Sequence, residues 1–230
     1  MRRVAVYSGT LRVYRDMMCS AKSLLTHTRM DTVYFLIEHD AFPWTLPDIV
    51  RTINVSGQQY FDPNGPNYKS KVTYMDMIRL ALSEVLPDED RVLWLDIDTI
   101  VCKDISPLLD IDLAGNVCAM TEEPVRSKYP FTYYNAGVCL FDLGKLRRSG
   151  RYRLMIDRIN REAFTAQSQD MLNLYCQGEV LSIGPEWNMA EHITQHCDDP
   201  YIRHFAGNLK GAGKPLFDAY EHKDWSVRDD

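Results

Sequence analysis

Two aspartates, Asp96 and Asp98, stand one residue apart at the end of an apolar run, VLWLDIDTIV, over residues 92–101. A carboxylate taken out of water needs hydrogen bonds, a cationic side chain or a metal ion to stabilise it, so the pair demands partners. Residues two apart in an extended chain point the same way and lie about 6–7 Å apart, close enough to flank one ion directly or through its water. All-oxygen ligation suits magnesium or manganese. Taken alone, the pair reads equally as solvated loop aspartates that cap the turn at Thr99.

A third ligand is offered by His204 in HFAGNLKGAGKPLF, residues 204–217, where it sits on a short expected strand. Gly207 and the glycines after it, with Lys214, suit a diphosphate, because a lysine beside glycine-exposed backbone amides gathers positive charge and N–H donors in one place. By itself His204 reads as a hydrogen-bonded, semi-buried histidine more readily than as a ligand. Two other patterns carry no chemistry. HITQH at 192–196 lacks the glutamate that a zinc-protease helix needs, having Ile193 there, and KLRRSGRYR at 145–153 reads as a solvated helix face.

What must position these residues is an alternation of strands and helices. RVAVYS (3–8), TVYFLIEH (32–39) and RTINVS (51–56) are apolar or β-branched runs that predict strands, and DMMCSAKSLLTH (16–27) has helical spacing. DPNGPN (62–67) predicts a loop. From 70 to 86 the apolar residues recur every three or four positions before Pro87, which predicts a helix delivering the chain into the aspartate strand. Strands follow at 117–123 and 135–143, then helices over about 145–163 and 168–175, and last strands at EVLSIG and YIRHFAG. The alternation predicts an α/β fold with helices on both faces of a mostly parallel sheet, where ligands collect beyond the carboxyl ends of the strands.

With 230 residues, 45% hydrophobic and 25% charged, the composition is that of an ordinary globular chain, and no linker or repeat divides residues 1–230, which are expected to form one domain. A formal charge of −6 argues against nucleic acid as a partner. Six cysteines without a CxxC pair read as reduced thiols. The apolar stretch in MRRVAVYSGT is too short for a signal-peptide core, and no run reaches the length of a membrane span, so the expectation is a cytoplasmic protein with no integral membrane segment.

Five separated segments resemble glycosyltransferase family 8, the retaining group of GT-A fold that includes lipopolysaccharide galactosyltransferases and glycogenin. They are VAVYSGTLRVY, TYMDMIRLALSEVLP running into RVLWLDIDTIVCKDI, YYNAGVCLFDLGKLR, QSQDMLNLYCQGEVLSIGPEWN and HFAGNLKGAGKP, in the family's order across almost the whole chain. The resemblance implies a single Rossmann-like GT-A domain and a UDP-sugar donor. It implies that Tyr7, Ser8 and Thr10 line the nucleotide pocket with Tyr14 stacked on the uracil, and that Asp96, Ile97 and Asp98 form the DxD motif. His204 becomes the third protein ligand to Mn2+ (or Mg2+), and Gly207 and Lys214 lie at the diphosphate.

By the same resemblance Arg79 contacts the donor, and Asn135, Ala136 and Gly137 lie beneath the sugar, where glycine permits close approach. Gln169 and Asp170 match the last two positions of a DQD-like motif facing the anomeric carbon. Ser168 takes the first position, often aspartate in relatives, which weakens a double displacement here and leaves same-face substitution with Gln169 near an oxocarbenium-like centre. Galactose or glucose is the expected sugar. The acceptor is a saccharide, a lipid-linked glycan or a protein, and the acidic end YEHKDWSVRDD slightly favours a soluble one.

Two other readings compete. A haloacid-dehalogenase-type phosphatase also has a strand followed by DxD, but it wants threonine or valine where this chain has Ile100, and it places the motif near its N-terminus. A non-catalytic nucleotide-sugar binding protein is the other, suggested by Ser168. A GxxxxGKS phosphate loop is absent from the sequence.

Overall fold

The computed structural model describes residues 2–69, 73–124, 129–207 and 210–228. In chain order its elements are β1 (Val4–Ser8), α1 (Tyr14–His27), β2 (Thr32–Ile37), β3 (Val50–Asn54), α2 (Tyr74–Met77), α3 (Leu82–Val85), β4 (Arg91–Leu95), β5 (Thr99–Val101), α4 (Ser106–Leu109), β6 (Cys118–Glu122) and β7 (Tyr134–Asp142). Then come α5 (Leu143–Ser149), α6 (Arg151–Arg161), α7 (Gln167–Tyr175), β8 (Val180–Ile183), β9 (Met189–Ala190), β10 (Ile202–His204) and α8 (Lys210–Glu221).

Among the described residues the strands make a seven-stranded mixed sheet of order β3-β2-β1-β4-β7-β6-β8 and a three-stranded sheet of order β5-β10-β9. β1 pairs in parallel with β2 and β4 and is buried along its whole length, as its continuous apolar run requires. β7 lies antiparallel between β4 and β6. Strand alternation sends successive side chains to opposite faces. Val4, Val6, Val92 and Trp94 pack under α2, α3, α5, α6 and α7, whereas Ala5, Tyr7, Leu93 and Leu95 pack under α1 and α4. Helices therefore cover both faces, as the alternation predicts. Each large apolar side chain buried this way stabilises the fold by about 1.5–3 kcal/mol.

Four expectations change. The helix expected over 70–86 is two short α segments separated by a 3-10 turn at Ile78–Ala81, and its expected start at 70–72 lies outside the described residues. Arg79 is the reason: its Nε donates to the Asp76 carbonyl (3.1 Å), which a regular helix would offer to residue 80. The helix expected over 145–163 breaks at Gly150, whose φ of 64° ends α5 in the left-handed conformation that glycine adopts without strain. The third change is α8, which takes up the glycine and lysine segment after residue 209 and packs on α1, where Arg15 pairs with Asp218 and Glu221 at 2.6 Å each. The strand expected at YIRHFAG is only β10, and it joins the small sheet rather than the large one.

Candidate active site

A cleft of about 710 Å³ opens where β1 and β4 end, bounded by α7 and by the segment that leaves β10. Asp96 follows the last residue of β4 and Asp98 precedes the first of β5, so the two lie in a turn and not in one extended strand. Thr99 closes that turn by bonding the Asp96 carbonyl oxygen through its amide (3.1 Å) and its hydroxyl (2.7 Å). The Asp96 carboxylate is thereby left for other partners, and the reading as a mere turn cap does not hold for it.

Those partners approach from behind. Asp96 Oδ1 accepts from Arg79 Nη2 and from Trp94 Nε1, both at 2.8 Å, and Trp94 shares its sheet face because it lies two residues earlier in the strand. Arg79 also donates to the Ala136 carbonyl (2.7 Å) and to Asp76 Oδ1 (2.5 Å), and its guanidinium lies over the Trp94 ring at 4.5 Å. Asp96 Oδ2 remains on the cleft side, 3.8 Å from His204 Nε2, and Asp98 Oδ1 lies 3.3 Å from the same nitrogen. Backbone register brings the histidine there: β10 runs antiparallel to β5 with His204 opposite Thr99, and the Phe205 amide bonds the Asp98 carbonyl at 2.8 Å.

One ligand atom from each of Asp96, Asp98 and His204 falls within 4.8 Å of the others, and two carboxylates with one imidazole suit a hard divalent cation such as Mn2+ or Mg2+. Burial raises the Asp96 carboxyl above its ordinary range despite Arg79 and His204, while for His204 burial is outweighed by Asp98 and Asp96, which hold the ring above its ordinary value. A cradle is built for the imidazole, too. A Cβ at Gly137 would overlap His204 Cε1 and come within 2.7 Å of its Nδ1, so only glycine lets the ring lie flat on β7.

Next to this cluster is a chain of amides. Asn135 Nδ2 donates to Glu123 Oε2 (2.8 Å), which also accepts from Gln169 Nε2 (3.0 Å), and Gln169 Oε1 accepts from the Ala136 amide (3.0 Å). Asp170 accepts from the Tyr133 hydroxyl (2.7 Å) and from the Ala166 amide (3.1 Å), and Ser168 donates to Asp76 Oδ2 (2.6 Å). Every one of these carboxylates and amides is buried or half-buried with directed donors, which fixes their orientation before any ligand arrives.

The cleft thus gathers Ser8, Thr10, Arg79, Asp96, Ile97 and Asp98 from the first half of the chain, with Asn135, Gln169, Asp170, His204 and Gly207 from the second. Ala136 and Gly137 lie directly beneath, acting through their backbone. Three expected residues are elsewhere. Tyr7 points to the opposite sheet face, edge-on to Phe35, with Ser20 donating to its hydroxyl. Tyr14 is fully buried, stacked on Phe42 at 4.9 Å, its hydroxyl accepting from the Glu38 amide. Lys214 is exposed on α8 and paired with Asp218 one turn on (2.6 Å). Sequence reasoning missed Asp76, Trp94, Glu123, Tyr133 and Asn188. Glu123 had a legible signal, since it closes the strand expected at 117–123 at the carboxyl edge of the sheet, and Asn188 closes the family-like segment ending in PEWN.

The model for glycosyl transferase family 8 matches residues 17–211, and the chain belongs to that family. The pneumococcal glycosyltransferase GlyF (Streptococcus pneumoniae serotype 4) is 23% identical over 256 aligned positions, which cover 98% of this chain and 63% of GlyF. Among solved structures, the galactosyltransferase LgtC in complex with donor and acceptor sugar analogues superposes with a TM-score of 0.72 at 20% identity, covering 98% of both chains. GlyE from S. pneumoniae superposes with a TM-score of 0.73 at 20% identity, over 98% of this chain and 62% of that one. The fold is that of the GT-A glycosyltransferases, and the chain spans less than two thirds of the length of GlyF.

Proposed function

We propose that this protein is a retaining glycosyltransferase, which takes a hexose, galactose or glucose, from a UDP-sugar and delivers it to a hydroxyl acceptor with the aid of Mn2+ or Mg2+. The observation that carries the reading is the meeting of Asp96, Asp98 and His204 with the oriented amides of Asn135 and Gln169 in one cleft. Family membership makes sugar transfer the expected chemistry for such a cleft. The wall formed by Ser8, Thr10 and Ile97 takes the nucleotide, and Gly207 gives the diphosphate a close approach to backbone. In a sugar-nucleotide transferase, a divalent ion held by Asp96, Asp98 and His204 stabilises the negative charge that develops on the departing diphosphate.

The chain's own residues do the rest. Arg79 and Trp94 hold Asp96 Oδ1 so that Oδ2 is aimed into the cleft. Gln169 and Asn135, locked by Glu123 and by backbone amides, form a polar floor for sugar hydroxyls and for the electron-poor anomeric carbon. Asp170 is restrained by Tyr133 and the Ala166 amide on the same side. With Ser168 donating to Asp76, no carboxylate stands at that position to serve as a nucleophile, which favours substitution from one face. All 230 residues act as one domain in this reading, with α8 clamped on α1. Among the described residues no helix is long and apolar enough to cross a membrane, and a saccharide, lipid-linked glycan or protein acceptor is compatible with the cleft.

The test is a thermal-shift panel of UDP-sugars with and without manganese, followed by an assay for UDP release. Metal-dependent stabilisation by a UDP-hexose, then UDP release, is the expected result. Hydrolysis of an aryl phosphate with magnesium and no sugar nucleotide would count against it.

A further inference from the structure

The hydrogen bonds around His204 determine which of its ring nitrogens carries the proton. The Gly137 backbone amide, a donor only, points at Asn135 Oδ1 at 2.9 Å. At the other end of the Asn135 amide sits Glu123, whose Oε2 lies 2.8 Å from Nδ2 and accepts also from Gln169 Nε2, itself oriented by the Ala136 amide on Gln169 Oε1. Two independent anchors therefore agree on which atom of Asn135 is oxygen. The same oxygen lies 2.9 Å from the Asn188 side chain, so Asn188 must present its NH2 there and its carbonyl oxygen on the other side. That carbonyl oxygen lies 2.9 Å from His204 Nδ1.

We infer that Asn188 is a positioning residue that fixes His204 as the Nδ1–H tautomer and so turns the lone pair of Nε2 into the cleft, toward Asp96 and Asp98. Asn188 is fully buried and lines no part of the cleft, so it acts through the two side chains it bridges, His204 and Asn135. Its own backbone is held, because the Thr194 hydroxyl donates to its carbonyl oxygen at 3.0 Å. In neutral imidazole one nitrogen donates and the other accepts, and a ligand's distal N–H bond commonly decides which one is left for a cation. Asp98 Oδ1, 3.3 Å from Nε2, competes for the proton, and the relay from Gly137 and Glu123 through Asn135 and Asn188 supplies the nearer acceptor, 2.9 Å from Nδ1, which biases the neutral ring to Nδ1–H before a cation binds. Gly137 contributes twice, as the first donor of the relay and as the space in which the ring lies.

The inference rests on the proposed divalent-cation site, and the experiment separates the two. A two-bond proton–nitrogen correlation spectrum of metal-free, histidine-labelled protein, at a pH where the ring is neutral, shows which nitrogen of His204 bears the proton. Nδ1–H in the wild type is expected, and Nε2–H overturns the inference without any variant being made. Binding of Mn2+ alone is then measured by electron paramagnetic resonance for wild type, Asn188→Leu, Asn188→Asp and His204→Ala, each checked for native circular dichroism. Asn188→Leu is expected to weaken Mn2+ binding by about 10–100-fold. Asn188→Asp still accepts from Nδ1–H but sets an oxygen against Asn135 Oδ1, so it is expected to keep the Nδ1–H tautomer in the same spectrum whatever its affinity, and Nε2–H in that variant overturns the inference. Equal Mn2+ affinity in wild type and Asn188→Leu overturns the inference and leaves the proposed function standing. Identical, negligible binding in wild type and His204→Ala overturns the cation site and this inference with it.

Discussion

The two ends of the cleft are built differently. At the end formed by Asn135, Gln169 and His204, each amide has named partners on both its oxygen and its nitrogen. At the end formed by Ser8, Gly9, Thr10 and Arg12, the Ser8 hydroxyl is turned inward to the Met75 carbonyl (2.6 Å), Thr10 makes no capping bond with its side chain, and Arg12 is exposed. Dipoles fixed in advance lower a barrier because nothing must reorganise as charge moves, so rigidity is expected where bonds change and is less needed where a ligand is merely gripped. For the proposed transfer, the contrast favours the amide end as the reacting centre.

The sharpest way to break the comparison is at the cation cluster. Asp98→Ala, in a protein that keeps its circular dichroism, is expected to lower Mn2+-dependent UDP release by about 100–1000-fold, in line with the loss of one charge-stabilising group. Glu123→Gln comes next, since the new amide must turn a donor toward either Asn135 or Gln169. A loss of about 1.5–3 kcal/mol in stability is expected from denaturant titration, together with weaker binding of the donor sugar but not of UDP alone. Gly137→Ala is expected to cost about 1–3 kcal/mol by overpacking His204, while Gly57→Ala, where a Cβ meets nothing within 4 Å, stays within about 0.5 kcal/mol.

Smaller effects sharpen the other end. Tyr14→Phe removes a buried hydroxyl that accepts from the Glu38 amide and is expected to cost about 1 kcal/mol in melting experiments while leaving UDP affinity unchanged. A drop in UDP affinity would bring that ring back into nucleotide binding. The smallest expected effect lies far from the cleft. Lys145 and Arg151 hold the Glu179 carboxyl below its ordinary 4.5, so its contribution is complete above that pH and fades as pH falls through the lowered value. Glu179→Gln should flatten the acid limb of the stability curve slightly and leave neutral-pH stability near the wild type's.

Much of this was legible in the sequence. Continuous apolar runs in VLWL and VAVYS predicted the central strands, with the carboxylates at the end of one of them, because burial on both faces leaves only apolar residues to choose from. The motif segments brought Asn135, Gln169 and His204 to one place without a structure. What could not be read was direction. Tyr7 lies in the right strand but alternation turns it to the wrong face, and Tyr14 begins a helix whose inner stripe swallows it. Lys214 sits in a glycine-rich stretch that tertiary packing on α1 makes helical, and its charge pairs with Asp218 one turn on. Asn188 closes the family-like segment ending in PEWN, but nothing local marks the bridge its side chain makes between Asn135 and His204, which come from distant strands.

The histidine reaches the aspartates on a strand of three residues, and its place there is decided by which backbone groups pair. Side chains alternate along such a strand, so a deletion of one residue inside it would present Arg203 or Phe205 where the imidazole now stands. Loops elsewhere between residues 98 and 204 can lengthen without touching that arithmetic, whereas the short ribbon itself has no freedom to drift.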